Sequence, residues 1–215
     1  MTAVEKSAEV PGSADDGMKP IVGEAVLRHI LEFPAVVLTT RGAYAAIPDT
    51  FKRLKAWTDG IGVDAVGNIV ALFYDRPPFL ETTICRYSLC FPTSKPEAAA
   101  AREAISGRAA GHPAIQGVLK DRASAEPRLE LAAAALSEDD VLDVRDIPRV
   151  LTASVFYRGP VGGTGEAYAR ANAWVSERAY VSAGAPREVY LAQPGVLGPG
   201  IVEAEIQLPV LTTSR

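Results

Sequence analysis

Shifted against itself by 117 positions, the chain matches without a gap. Arg41-Gly42 falls on Arg158-Gly159, Arg53 on Arg170, Ala56-Trp57 on Ala173-Trp174 and Gly67 on Gly184. Further along, Pro77 meets Pro194, Leu80 meets Leu197, Ile84 meets Ile201 and Pro92 meets Pro209. Other pairs are similar in kind, among them Phe51 with Tyr168, Phe73 with Tyr190 and Leu89 with Ile206. Tryptophans and arginine–glycine pairs are rare, so their coincidence at one offset marks an internal duplication. A duplicated chain is constrained to fold as two copies of one unit whose apolar faces complete a common core.

Each unit carries the same run of signals. A short apolar strand comes first, AVVLTTRG or TASVFYRG. A turn and an amphipathic helix follow. In the first unit Ile47, Phe51, Leu54 and Trp57 recur at helical spacing, and Pro48 and Asp49 suit the first turn. In the second, Tyr168, Ala171 and Trp174 share a face, with Thr164 as the expected N-cap. A glycine turn then leads to a strand, NIVALFY or REVYLAQ, and a proline-containing loop to a last strand, ICRYSLCFP or IVEAEIQLP. The order is β-α-β-β twice. It predicts an α+β fold: two β-α-β-β modules forming one antiparallel sheet with two main helices.

The units divide the chain into repeat 1 over residues 22–93, a connector over 94–140 and repeat 2 over 141–210, within one domain spanning 20–215. The alanine-rich connector, with stretches such as KPEAAAAREAIS, predicts short helices broken at Gly111, Pro113 and Pro127. It serves as plain connection or as a lid. Residues 1–19 are polar and predict a disordered tail.

Composition excludes several classes of function. The chain of 215 residues is 48% hydrophobic, enough for an ordinary core. A net charge of −4 without a basic stripe argues against direct nucleic-acid binding. No apolar run approaches the roughly 18 residues that span a bilayer, and the start lacks the apolar segment of a signal peptide; the cytoplasm is the expected compartment. Cys85 and Cys90 fall on opposite faces of one predicted strand, so they are expected reduced and unpaired. His29 and His112 stand alone, and no Cys/His group has ligand spacing, so neither a metal nor another cofactor is expected. GPVGGTG lacks the lysine and hydroxyl ending of a phosphate loop.

PREVYLAQP poses the chemical question. Glu188 and Tyr190 share one face of a strand, Val189 and Leu191 the other. The face with Glu188 is either wet or built to hold an acid. Its repeat mate is Ala71, so the duplication carries one acid at this position. On the last strand Glu203, Glu205 and Gln207 alternate with Ala204, Ile206 and Leu208, the pattern of a half-wet strand, and Arg86 and Ser88 are candidate partners for the two glutamates.

The YRGPVGG turn, the helix with its tryptophan, PREVYLAQP and VEAEIQLPV together resemble the GyrI-like effector-binding family. RGAY, the Trp57 helix, ALFYDRPP and CRYSLCFP repeat the pattern in the first unit. The resemblance covers roughly residues 22–92 and 141–210. It implies a ligand cleft between two βαββ-type modules. It also implies relatives that are ligand-binding halves of AraC-type and MerR-type multidrug regulators, a gyrase-inhibitory protein, and stand-alone binders of aromatic, often cationic molecules. Some stand-alone members hydrolyse cyclopropane-bearing genotoxic natural products. No helix-turn-helix pattern precedes residue 22, so the resemblance does not extend to a one-chain transcription factor.

By position, the resemblance makes Glu188 the buried glutamate that meets the ligand. Tyr190, its counterpart Phe73, the small Ala71, and Trp57 and Trp174 on the paired helices are the expected ligand-binding residues, and Tyr157 an auxiliary donor. Tyr44, Tyr74, Tyr87 and Tyr168 are further candidate wall residues. A desolvated carboxylate gains from a cationic aromatic ligand; with its pKa raised, it also serves as general base toward water. The expected function is capture of a hydrophobic aromatic small molecule as protection against a drug or toxin. Hydrolysis of a strained xenobiotic and a protein-interaction role are the alternatives.

Overall fold

The computed structural model describes residues 18–75, 84–110, 136–137 and 139–212. The tail before residue 18, the repeat positions Pro77 and Leu80, and most of the connector lie outside the described residues. In chain order the elements are β1 (Ile21–Val22), β2 (Val26–Ile30), β3 (Phe33–Ala43), a 3-10 turn (Tyr44–Ala46), α1 (Ile47–Ile61), β4 (Val70–Phe73), β5 (Ile84–Pro92) and α2 (Lys95–Ala110). The second half follows with β6 (Val141–Ile147), β7 (Val150–Pro160), a 3-10 turn (Val161–Gly163), α3 (Thr164–Glu177), β8 (Tyr180–Ser182), β9 (Arg187–Tyr190) and β10 (Ile201–Thr212).

The repeat of 117 residues is carried into the backbone. β3 and β7, the two 3-10 turns, and β4 and β9 have the same bounds at that offset, and α1 and α3, and β5 and β10, start at equivalent residues. Each unit also owns a leading strand that the sequence pattern did not reveal: β2 ends at Ile30 and β6 at its repeat mate Ile147. These strands are exchanged. β2 pairs with β7 of the second unit and β6 with β3 of the first, both antiparallel.

The sheet has ten strands among the described residues, with the main path β1-β7-β10-β9-β4-β5-β3-β6. The units meet where β4 pairs β9, with Val70 opposite Val189, Ala71 opposite Glu188 and Leu72 opposite Arg187. The central pair consists of repeat mates, so the pseudo-twofold axis passes between Ala71 and Glu188. Exchange of the leading strands and this central ladder bind the halves by backbone hydrogen bonds as well as by packing.

α1 buries Ile47, Phe51, Leu54 and Trp57, the face its spacing predicts, and ends at Gly62, whose φ of 70° is the left-handed geometry glycine tolerates. α3 buries Ala167, Tyr168, Ala171 and Val175. Thr164 is not its N-cap: Gly163 holds that position, and the Thr164 hydroxyl donates back to the Val161 carbonyl at 3.0 Å. The preceding 3-10 turn brings the chain into the helix already wound, so the first helical residue bonds the turn instead of capping it.

One large apolar cluster includes Leu38, Trp57, Phe73, Tyr87, Leu89, Val155 and Ile206; a smaller one on the other sheet face holds Ala35, Val37, Val70, Leu72, Cys90 and Ile147. Cys85 and Cys90 are free and divide between the two clusters, as their spacing predicts. Glu203 and Glu205 are half-buried, but their basic partners are Arg158 and Arg28, each at 3.4 Å. Arg86 instead stacks over the Tyr74 ring at 5.0 Å, and Ser88 bonds Thr39 and Tyr74. Among the described residues no helix is long and apolar enough to cross a membrane.

Candidate functional site

Strand alternation turns Glu188 toward the larger core, and the fold closes over it: the residue is 0% exposed. Three tyrosines from three elements converge on its carboxylate. Tyr44, in the 3-10 turn after β3, donates its hydroxyl to Oε2 at 2.5 Å. Tyr190, two residues along β9 and therefore on the same face, donates to Oε2 at 3.0 Å. Tyr168, on the buried face of α3, donates to Oε1 at 3.0 Å. Opposite, Ala71 supplies only a methyl group, which leaves the carboxylate room.

Burial sets the electrostatics. It pushes the Glu188 carboxyl above its ordinary pKa, and the three tyrosine hydrogen bonds counter the rise without reversing it. The hydroxyls of Tyr44, Tyr168 and Tyr190 are pushed well above their usual range, by burial first and by the neighbouring Glu188 charge second. The tyrosines therefore remain neutral donors toward Glu188.

A cavity of about 490 Å³ lies against this cluster. Tyr44 and Tyr190 form part of its wall, with Ile47 and Pro48 from α1, Val161 from the second 3-10 turn and Val202 from β10. The β9–β10 loop, including Pro194, Gly195 and Pro199, forms another side. The other lining side chains are apolar apart from Lys52, and Glu188 stands behind the two tyrosines instead of in the wall. A second hollow of about 390 Å³ also touches Tyr190 and is bordered by Phe51, Lys55, Asp59, Phe91 and Gln193.

Of the residues singled out from sequence, Glu188, Tyr190 and Ala71 come together here. Phe73 stands directly behind Tyr44, with ring centroids 5.6 Å apart. Trp57 and Trp174 line neither hollow. Trp57 is core, and Trp174 stacks on Tyr180 at 5.5 Å with the Arg178 guanidinium over the Trp174 ring at 4.5 Å. Tyr157 is buried and donates its hydroxyl to the Pro160 carbonyl at 2.5 Å. The direct contacts that sequence reasoning left undistinguished are Tyr44 and Tyr168. A signal for Tyr168 was present: Phe51/Tyr168, Phe73/Tyr190 and Ala71/Glu188 are repeat mates in which the second unit gains a polar group, and all three gained groups meet at one point. Tyr44 has Val161 as its mate, and both line the cavity.

The sequence matches the family model of the GyrI-like small molecule binding domain over residues 25–211. The fold is similar to the crystal structure of the EcmrR C-terminal domain, with a TM-score of 0.53 at 16% identity over 89% of this chain and 99% of that one. It is also similar to EcmrR in its cryo-EM complex with DNA, at a TM-score of 0.53 and 17% identity; there the match covers 88% of this chain and 58% of the longer one. At such identities the likeness is one of fold. No curated protein matches the sequence.

Proposed function

The chain belongs to the GyrI-like small molecule binding domain family, and on that premise we propose that it captures a hydrophobic aromatic molecule, preferentially a cationic one, in the cavity beside Tyr44 and Tyr190. Sequestering such a compound protects against a drug or toxin. The observation that carries this proposal is the dry carboxylate of Glu188 hydrogen-bonded to two tyrosines that also face the cavity. Burial disfavours the carboxylate charge, and a cation nearby compensates it. Tyrosine rings whose hydroxyls donate to an anion are polarised toward the ring face, which strengthens cation–π attraction. The apolar remainder of the wall suits aromatic surface.

Calorimetric titration with an aromatic cationic dye and its neutral isostere tests this. Glu188→Gln is expected to weaken the cation by about 1.5–3 kcal/mol, the scale of a hydrogen bond or contact to a charged group, and to leave the isostere unaffected. Equal effects on both ligands would remove the charge from the proposal.

Hydrolysis of a strained, cyclopropane-bearing electrophile is the second function, favoured by the 2.5 Å link from the cavity wall at Tyr44 to Glu188. Water in the cavity would bond its oxygen to the strained carbon as the ring carbon–carbon bond opens. Its proton would pass to Tyr44 as that hydroxyl proton passes to Glu188, and the released carbon would take a proton from solvent. Turnover in the wild type that Glu188→Gln abolishes while binding persists selects this function; recovery of unchanged compound selects capture.

A further inference from the structure

The sheet face opposite Glu188 holds a second polar cluster. Arg187 precedes Glu188 in β9, so its side chain leaves the sheet on the other side. Register places Thr39, Ser88, Leu72, Arg187 and Gln207 in one row across β3, β5, β4, β9 and β10. Arg145 of β6 is paired with Ala35, two residues from Val37 and four from Thr39, and so belongs to the same face.

Arg187 is 7% exposed, and its Nε and Nη1 are buried without a hydrogen-bond partner. The Nε of Arg145 is in the same condition. Arg145 spends Nη2 on the Tyr74 hydroxyl at 3.0 Å and the Ser88 hydroxyl at 3.3 Å. Ser88 is itself held by Thr39 at 2.6 Å and Tyr74 at 2.8 Å. Cys90, buried on the same face, is pushed up to about 12 by desolvation, with the charges of both Arg145 and Arg187 opposing the rise.

Neither arginine has an ion-pair partner among the described residues. Glu205, an acid on this face, is taken by Arg28 at 3.4 Å and the Gln207 amide at 2.9 Å. Asp143 turns one oxygen to the Val144 backbone N–H. A lysine so placed would give up its proton, but an arginine keeps its charge, and a buried charge without a counter-ion is strongly disfavoured. Three orphaned donors on two cations define what is missing: an acceptor that is small and anionic.

We propose that Arg187 and Arg145 hold a small oxyanion, a carboxylate or phosphate group, on the sheet face opposite Glu188, as a second ligand site independent of the tyrosine-lined cavity. Tyr74 and Ser88 position Arg145, and the apolar Val70 and Leu72 keep the site dry.

The test compares sodium phosphate and sodium acetate with sodium chloride at matched ionic strength on the full chain. At a few times its dissociation constant, the bound anion raises the wild-type melting temperature by about 2–4 °C beyond chloride, in a saturable way. The anion effective at lower concentration identifies phosphate or carboxylate as the natural group. Arg187→Met removes the specific increment. Equal responses in wild type and Arg187→Met overturn the proposal. If that variant fails to fold, the arginine Nε–H resonances of the wild type decide: saturable shifts on adding phosphate or acetate support the site, and unmoved resonances overturn it. A Glu205→Gln variant in which those same resonances shift without added anion also overturns it, because Arg187 then has an internal partner.

Discussion

Ala71 and Glu188 occupy the same position in the two repeats and face each other directly across the centre of the sheet. The scaffold is symmetric about the axis between them, and the chemistry is not. Repeat mates opposed in an antiparallel ladder have Cβ atoms about 4.5–5.5 Å apart. A glutamate in both copies would set two carboxylates against each other in a dry interior. One acid and one methyl group resolve that conflict and leave the acid its three tyrosines.

Ala71→Glu restores the symmetry and should be costly. Two buried carboxylates at that distance cannot both ionise, so at least one has a folded pKa far above its unfolded value near 4.3. A raised acid pKa leaves stability intact below the unfolded pKa and removes it as pH rises toward the folded pKa. At pH 7 the variant should lose more than about 3 kcal/mol, and its deficit against the wild type should shrink toward pH 4. Urea unfolding at the two pH values measures it; a deficit independent of pH would show steric crowding alone.

Glu188→Gln should reshape the pH profile. The raised pKa of Glu188 means that the wild type loses stability as pH climbs from about 4.3 through the folded value. Glutamine cannot ionise and lacks that loss. The melting temperature of the variant relative to wild type should therefore increase with pH across this window and level off above it. Parallel profiles would place the Glu188 pKa at its ordinary value.

Tyr168→Phe separates support of the acid from contact with a ligand. Tyr168 donates to Oε1 yet lines neither hollow. Its loss should cost about 1.5–3 kcal/mol in denaturant unfolding, with a smaller change in dye affinity than Tyr44→Phe, because Tyr44 bonds the acid and also lines the cavity. Equal affinity losses would assign Tyr168 to the binding wall.

Gly163→Ala tests the turn that delivers α3. A methyl group there would lie 2.4 Å from the Tyr157 hydroxyl oxygen. The substitution should destabilise the chain by about 1–3 kcal/mol. Because the obstructing atom is that oxygen, Tyr157→Phe in the same chain should recover part of the loss, although it forfeits the bond to the Pro160 carbonyl. A double-mutant cycle reads the coupling; additive losses would show that the clash is relieved elsewhere.

Much of the fold was legible because the repeat doubles every local signal. ICRYSLCFP was read as a strand and is β5, Ile84–Pro92. Pro48, Asp49 and the Ile47–Phe51–Leu54–Trp57 spacing marked α1. The strands β2 and β6 were missed: VLRHI is mostly exposed in β2, and VLDVRDI alternates only partly in β6, so neither shows a strong period. Their pairing is decided in the other unit. The helical tryptophans were legible as residues on a buried face, but the side of the helix that meets a cavity depends on how the helix docks.

Glu188 illustrates the division. Alternation in β9 put it on the face of Tyr190, and the offset of 117 made Ala71 its counterpart; both follow from the backbone period and the duplication, which are written locally in the chain. That the acid is dry, that Tyr44 reaches it from the opposite unit and Tyr168 from a helix, and that Arg187 is left without an acceptor on the reverse face depend on which strands pair and in what register. Those choices are settled by hydrogen bonds and packing between segments 20 to 144 residues apart, and no local period encodes them.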